Sequence, residues 1–450
     1  MKFTAPAGAL ARALSFVSRA AARPATTQPI LSSALFEADK ESGALAIGAT
    51  DTELTARLSS GAPDIREGGR AALPCRMLHD VVKALDAEAT VHLEATDKEA
   101  ALSTQDGKNT YSLRLMASAS FPELVGFPDE AEGSFTLDAA KLAEAISSVA
   151  PTASTDNTRP VLTGVLMTFS SDRAALVATD SYRMAVYSGK LEGAPKEGQA
   201  IIPAKALREV ARLRGMGPDR IEVAITPNAA MFRVGGVMLA TRLIAGQFPD
   251  HEKLMPAGAT FAKEYAADAN SMAEALGRVS LFARRSSGPP VPITLSFSEN
   301  PQEATLEGSA SAKLSAVSDE IGSGAESVPV ENSRESAKET KDDGMEISFN
   351  PEYLLQAVKT CRQAGANEDG GSGKVLFCLN DPLKPAVIRP DGESPIMVMI
   401  MPMRNPNAVE KVPANTQDKP KSADNDEPSA TPEPEAEKVG AGVASEVSNE

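Results

Sequence analysis

The sequence predicts an α+β chain made of three copies of one unit, each with two helices and several antiparallel strands. Three observations carry that prediction. An amphipathic helical pattern at Leu10, Leu14 and Val17 returns 132 residues later at Leu142, Ile146 and Val149, and again at Met272, Leu276 and Val279. A strand that runs into a proline and a second helix follows in each unit. Between the helices, short runs alternate apolar and polar residues and are bounded by Gly, Asp and Asn, the pattern of strand hairpins.

In the first unit the opening helix is followed by alternation such as Ala44 to Ile47. The second helix then starts at Leu73-Pro74-Cys75-Arg76-Met77-Leu78, with proline in its first turn. The unit closes through Tyr111-Ser112-Leu113-Arg114-Leu115 into Phe121-Pro122-Glu123-Leu124. The second unit repeats this order: strands such as Val165 to Phe169, a helix start at Ile202-Pro203-Ala204-Lys205-Ala206-Leu207, and a strand Ile221 to Ile225. It closes through Met238 to Leu243 into Phe248-Pro249-Asp250. In the third, Asn350 is placed to cap a helix with Pro351 in its first position. The expected domains are 1–130, 131–256 and 257–404, with residues 405–450 a disordered tail.

Charge is unevenly spread. The chain carries −16 overall, of which −6 lies in residues 407–450 and −5 in residues 317–344, the latter reading as a flexible acidic insertion in the third domain. The folded remainder is only −5. The six helical segments run the other way, with fifteen Lys/Arg against seven Asp/Glu. If these helices share a surface it is a positive track suited to phosphates without regard to sequence; the alternative is ordinary solvated helix faces.

Several chemistries find no support. Apolar runs fall far short of the roughly 20 residues of a membrane span, and no cleavable leader pattern precedes the first patterned segment, so a cytoplasmic protein is expected. His79, His92 and His251 lack metal-ligand spacing to Cys75, Cys361 and Cys378, so no metal or cofactor is expected, and the cysteines read as packing residues. A phosphate loop ending at Gly373-Lys374 is spoiled by Glu368 and Val375, and neither a G-x-S-x-G nor an H-E-x-x-H motif occurs.

Five ordered strings within the triple repeat resemble the beta sliding clamp, the beta subunit of bacterial DNA polymerase III. They are Met1-Lys2-Phe3-Thr4, Ala178 to Val186, Gly246-Gln247-Phe248-Pro249-Asp250, Ile347-Ser348-Phe349-Asn350 and Met401-Pro402-Met403-Arg404. The resemblance implies a head-to-tail homodimer in which six domains form a ring, with helices lining the hole and sheets outside. Its activity is mechanical: it encircles duplex DNA, slides, and tethers the polymerase without catalysis. Matching interface positions are Tyr111, Leu281 and Phe282. DNA-facing positions by match are Arg23, Arg76, Arg159 and Lys205, to which the charge pattern adds Arg284 and Arg285.

The resemblance further implies a pocket that receives short linear peptides from the DNA polymerase III catalytic subunit, the clamp loader complex, other replication and repair polymerases, and ligase or mismatch-repair proteins. Its matching residues are Leu162, Thr179, Ser181, Tyr182, Arg183, Met184, Pro249, Lys253, Leu254, Met399, Ile400, Met401, Pro402, Met403 and Arg404. Methionine and branched aliphatics suit an adaptable cleft, with Arg183 and Arg404 as polar groups at its rim. The chain departs from the family at Ser181-Tyr182, where Gly-His or a similar small-polar pair is common, and in its 46 residues beyond Arg404. Two other classes fit the repeats alone, a peptide-binding scaffold without DNA and an enzyme with an unrecognised site. Neither accounts for basic helices together with a methionine-rich final strand.

Overall fold

The computed structural model describes residues 1–404 apart from 24–26, 62–63, 129–133, 171–172, 196, 255–260, 286–287, 299–309, 334–344 and 366–372. The expected domain boundaries near 130 and 256, and the tail from 405, lie outside the described residues.

Six helices appear among the described residues, two per repeat: α1 Ala7–Val17, α2 Cys75–Lys83, α3 Ala139–Val149, α4 Ala204–Ala211, α5 Ala269–Val279 and α6 Pro351–Ala364. Three begin on a side-chain cap. Asp138 accepts from the Lys141 N–H, Asp268 from that of Ser271, and Asn350 from those of Glu352 and Tyr353, satisfying donors the helix itself leaves open. Pro351 takes the first helical turn as expected, whereas Pro74 and Pro203 stand one place earlier, at the N-cap of α2 and α4.

The strands form three antiparallel sheets of five, eight and twelve strands among the described residues. The two larger sheets cross from one repeat to the next. Strand Val237–Arg242 of the second repeat pairs with Leu54–Gly61 of the first, with Thr241 opposite Leu54 and Ala240 opposite Thr55. Strand Arg183–Lys190 of the second pairs with Ile396–Ile400 of the third, with Arg183 opposite Ile400 and Met184 opposite Met399. Main-chain hydrogen bonding thereby stitches the three repeats into one body.

The principal core lies between helices and sheets. Phe3, Phe36, Phe232, Phe297, Phe349 and Phe377 are buried in it, and Tyr265 stacks on Phe297 with centroids 4.3 Å apart. Smaller apolar clusters cover the opposite sheet face. Phe121 packs with Leu35 and Ala72, and Phe248 packs with Leu166 and Ile201, so the two Phe-Pro-acid strings plug equivalent places in successive repeats. Gly246 precedes the second plug at φ 134°, a backbone setting that disfavours a side chain, and a Cβ there would lie 2.7 Å from Val161.

One sequence expectation is corrected. Residues 317–344 are not a loop throughout, because Gly322–Asn332 is a strand whose residues 322–330 pair with Ala310–Ser318. Charge counting hid its alternation: Val328 and Val330 are buried, while Glu326 pairs with Arg278 at 2.9 Å and Glu331 with Lys374 at 2.5 Å. Residues 334–344 lie outside the described set.

Candidate functional site

The helices form a row. Within each repeat the two pack together, and α3 also packs on α6 across the second junction. Across the first junction, Arg19 in the turn after α1 pairs with Glu209 of α4 at 3.0 Å. Apolar residues of each helix face the sheets, which leaves the charged ones outward. Arg12, Arg23, Arg76, Lys83, Lys205, Arg208, Arg212, Arg284 and Arg285 are all exposed on these helices or in the segments that follow them.

The six residues expected to face DNA, four by match and two by charge pattern, do not behave alike. Arg23 and Arg76 are exposed near or on the paired helices α1 and α2, and Arg284 and Arg285 after α5. Lys205 is exposed but also spans the first junction, its Nζ 3.1 Å from Asp51. Arg159 points elsewhere: its guanidinium donates to the Ser181 hydroxyl at 2.9 Å, which sets it beside a residue matched to the peptide pocket.

Of the residues matched to the peptide pocket, Tyr182, Arg183 and Met184 meet Met399, Ile400 and Met401 at the seam where the second repeat joins the third. Leu162, Thr179, Met184, Met399 and Ile400 are buried beneath the surface there. Above them Tyr182 and Met401 are 63% and 41% exposed, and the Met401 N–H bonds the Tyr182 carbonyl at 2.9 Å, extending the strand pairing by one residue. Pro249 and Arg404 are exposed, Pro402 and Met403 half-buried, and the Met403 N–H bonds the Ser348 carbonyl. Lys253 and Leu254 lie on the short turn Glu252–Leu254. Lys253 bonds Asp250 at 2.7 Å, holding the Asp250 carboxyl below its usual range.

Arg183 departs from its expected place at the rim. Its side chain is 11% exposed and turned inward. It donates to Asp180 at 2.9 Å, to the Pro151 carbonyl at 3.2 Å and to Gln356 of α6, and its guanidinium lies 4.1 Å from the Tyr353 ring centroid. Burial, then the nearby Asp180 carboxylate, pushes the Tyr353 phenol upward. A planar five-donor fork matches this set of acceptors and the aromatic face. Arg183 is therefore a clasp between repeats, and the exposed groups at this part of the seam are Tyr182, Met401 and Arg159, the last bonded to Ser181. Gln356, Tyr353 and Pro151 were missed from sequence because no spacing rule links residue 183 to residue 356.

The matched interface residues sit beside open sheet edges. Tyr111 is half-buried on Thr110–Arg114, the outermost strand of the five-stranded sheet. Leu281 is 50% exposed after α5, and Phe282 is half-buried with its ring so close to Gly324 that a Cβ there would meet it at 2.4 Å. In the strand Gly322–Asn332, only residues 330–332 pair on the side away from Ala310–Ser318, among the described residues. Among them also, no group of His, Cys, Asp and Glu is arranged to hold a metal, and no helix is long and apolar enough to cross a membrane.

Comparison with known proteins gives one answer at three levels. Residues 1–125, 136–250 and 252–404 match, in that order, the N-terminal, central and C-terminal domain models of the DNA polymerase III beta subunit. A beta sliding clamp of Synechococcus elongatus is 28% identical over 409 residues, covering 90% of this chain and 99% of the relative. That of Staphylococcus aureus is 28% identical over 388 residues, covering 85% and 93%. The fold is shared with the DNA polymerase sliding clamp of Bacillus subtilis and with a Pseudomonas aeruginosa sliding clamp bound to griselimycin. Each has a TM-score of 0.74 at 24% identity, covering 90% of this chain and 99% of that one. With all three domain models matched in order from residue 1 to residue 404, the chain belongs to the DNA polymerase III beta subunit family, the beta sliding clamps.

Proposed function

We propose that two copies of this chain join head to tail through the edges near Tyr111 and near Leu281 and Phe282, closing a ring of six domains around duplex DNA. The observation that carries the reading is the single row of helices with exposed cations on a chain whose net charge is −16. Such a row attracts phosphate without reading bases, and weak, sequence-independent contact is what a sliding ring needs. A closed two-fold ring is also the ordinary outcome for a repeated chain with two complementary edges. The domains are 1–130, 131–256 and 257–404. Arg23, Arg76, Lys205, Arg284 and Arg285 face the DNA.

The opening bordered by Tyr182 and Met401 receives short peptides from the polymerase III catalytic subunit and the clamp loader. The same opening serves other replication and repair polymerases, ligase and mismatch-repair proteins in turn. The protein itself catalyses nothing and works in the cytoplasm. The test is topological. The protein is loaded on nicked circular DNA by a competent clamp loader with ATP, free protein is removed, and the circle is cut. Retention on the circle with release on linearisation is expected. Retention on both forms would make the protein a gripping binder, and retention on neither would favour a peptide scaffold.

A further inference from the structure

The turn between strands Ala44–Thr50 and Leu54–Gly61 repeats, bond for bond, the turn between Arg173–Thr179 and Arg183–Lys190. Thr50 Oγ1 donates to the Leu54 carbonyl at 3.0 Å, and Thr179 Oγ1 to the Arg183 carbonyl at 2.8 Å. Asp51 accepts the backbone N–H groups of Glu53 and Leu54, as Asp180 accepts those of Tyr182 and Arg183. Thr52 and Ser181 share an unusual φ, at 77° and 80°. Across the strand seam, the Arg242 N–H bonds the Glu53 carbonyl at 3.0 Å where the Met401 N–H bonds the Tyr182 carbonyl at 2.9 Å.

The positions assigned to the peptide opening therefore have counterparts at the first junction. There they line a cavity of about 150 Å³, walled by Thr50, Thr52, Thr55, Pro122, Val125 and Ala240, with Glu53, Glu123 and Arg242 also lining it. A cavity of about this size accepts a benzene-sized group, comparable to one branched aliphatic or proline side chain. Val125, 46% exposed, offers it an apolar wall. What differs is where the charges stand. Glu53 replaces the uncharged Tyr182 of the other junction and Arg242 replaces Met401, while Glu123 keeps the acid of Asp250, and all three are exposed.

We propose that the junction of the first and second repeats is a second peptide site, taking a short segment with a lysine or arginine beside one branched aliphatic side chain. The proposal rests on reading the second junction as a peptide opening, and the two sites differ in where an acid stands. Glu53 gives the first an acid beside its apolar wall, where the second has Tyr182 with Arg159 bonded to the neighbouring Ser181.

The probe is a fluorescein-labelled peptide, acetyl-Ser-Arg-Leu-Pro-Ser-Gly, with two twins carrying Glu for Arg and Gly for Leu. Each is titrated against the full chain at low salt by anisotropy. The first peptide is expected to bind at least about tenfold more tightly than either twin. Combined Glu53→Lys and Glu123→Lys should cut its affinity by at least about tenfold, and Met401→Lys should leave it within about twofold. All three substituted side chains are exposed, and an unchanged Tm verifies the fold. Loss of binding on Met401→Lys alone would move the peptide to the second junction and overturn the proposal while leaving the peptide-opening reading intact. Equal binding of the Gly twin would reduce the contact to surface charge and overturn it, as would an absence of saturation at millimolar protein.

Discussion

Replacing Arg183 with methionine tests whether one side chain clasps the second and third repeats together. Methionine keeps an apolar stem but removes the donors that reach Asp180, the Pro151 carbonyl and Gln356, along with the cation over Tyr353. The Asp180 carboxylate, 12% exposed, then keeps the backbone N–H groups of Tyr182 and Arg183 and the Tyr353 phenol. Removing one partner of a buried pair costs about 3–5 kcal/mol, and those surviving bonds place this case near the lower end, at about 3 kcal/mol. For a cooperative unit of 150–250 residues that corresponds to a Tm fall of roughly 6–12 °C. Calorimetry of the intact protein reads the loss, and amide exchange along α6 locates it. Arg183→Lys should fail to restore stability, because one ammonium cannot reach three acceptors in different directions while lying flat on a ring. In a double-mutant cycle, Arg183→Met and Gln356→Leu should couple by about 1 kcal/mol. An Arg183→Met protein within about 0.5 kcal/mol of the parent would refute the reasoning and leave the strand seam alone holding the junction.

Three further outcomes are expected. Thr52 holds φ 77°, a strained setting for a β-branched residue, so Thr52→Asn should stabilise by about 1 kcal/mol in urea unfolding, and a loss would show that the turn is not strained. The Arg278 hydrogen bond holds the Glu326 carboxyl below its usual range. A lowered carboxyl contributes stability that is present above its unfolded value and lost as pH falls through the folded one. The hairpin ending at Asn332 should therefore exchange its amides faster below about pH 4, after correction for intrinsic rates, and Arg278→Gln should flatten that response. Burial pushes the Cys75 and Cys361 thiols up to about 12, and Cys378 is buried as well. Ellman's reagent at pH 8 should find none of the three in the native protein and all three after unfolding, and one fast-reacting thiol in the native state would contradict the packing.

The repeat was legible because it is written in local chemistry. Leu10, Leu142 and Met272 recur at helical spacing and are buried in α1, α3 and α5, and Asn350 caps α6 as its position before Pro351 implied. The strand Gly322–Asn332 was not legible because its inward side is made by two valines among glycines and acids, and Lys374, which partners Glu331, is 43 residues away. Site identity was legible only as a set of matched positions. Nothing about Arg183 in sequence distinguishes a rim cation from a clasp, since the choice depends on Tyr353 and Gln356 of another repeat. Arg159 shows the same limit. Its position after α3 fits a DNA contact, while the hydroxyl it meets, on Ser181, is brought there by the fold of a turn 22 residues on.

The two junctions share a strand seam and a turn but differ in what else holds them. At the position of Arg183 the first junction has Leu54, 3% exposed, which enters the core and carries no charge across. Polar ties there fall to Lys205 with Asp51 and Arg19 with Glu209, pairs whose cationic side chains are 66% and 37% exposed. Exposed pairs contribute about 0–1 kcal/mol and are screened by salt, whereas a clasp with 11% exposure is screened far less. The second junction is thus the stiffer one in salt, and it is the junction whose opening is matched to partner peptides. A rigid seat suits that task, since a pocket spanning two domains keeps its shape only if the domains keep their angle. The first junction, held by seam and surface pairs, retains the turn and the cavity under a looser constraint, with Glu53 and Arg242 where its counterpart carries the uncharged Tyr182 and Met401.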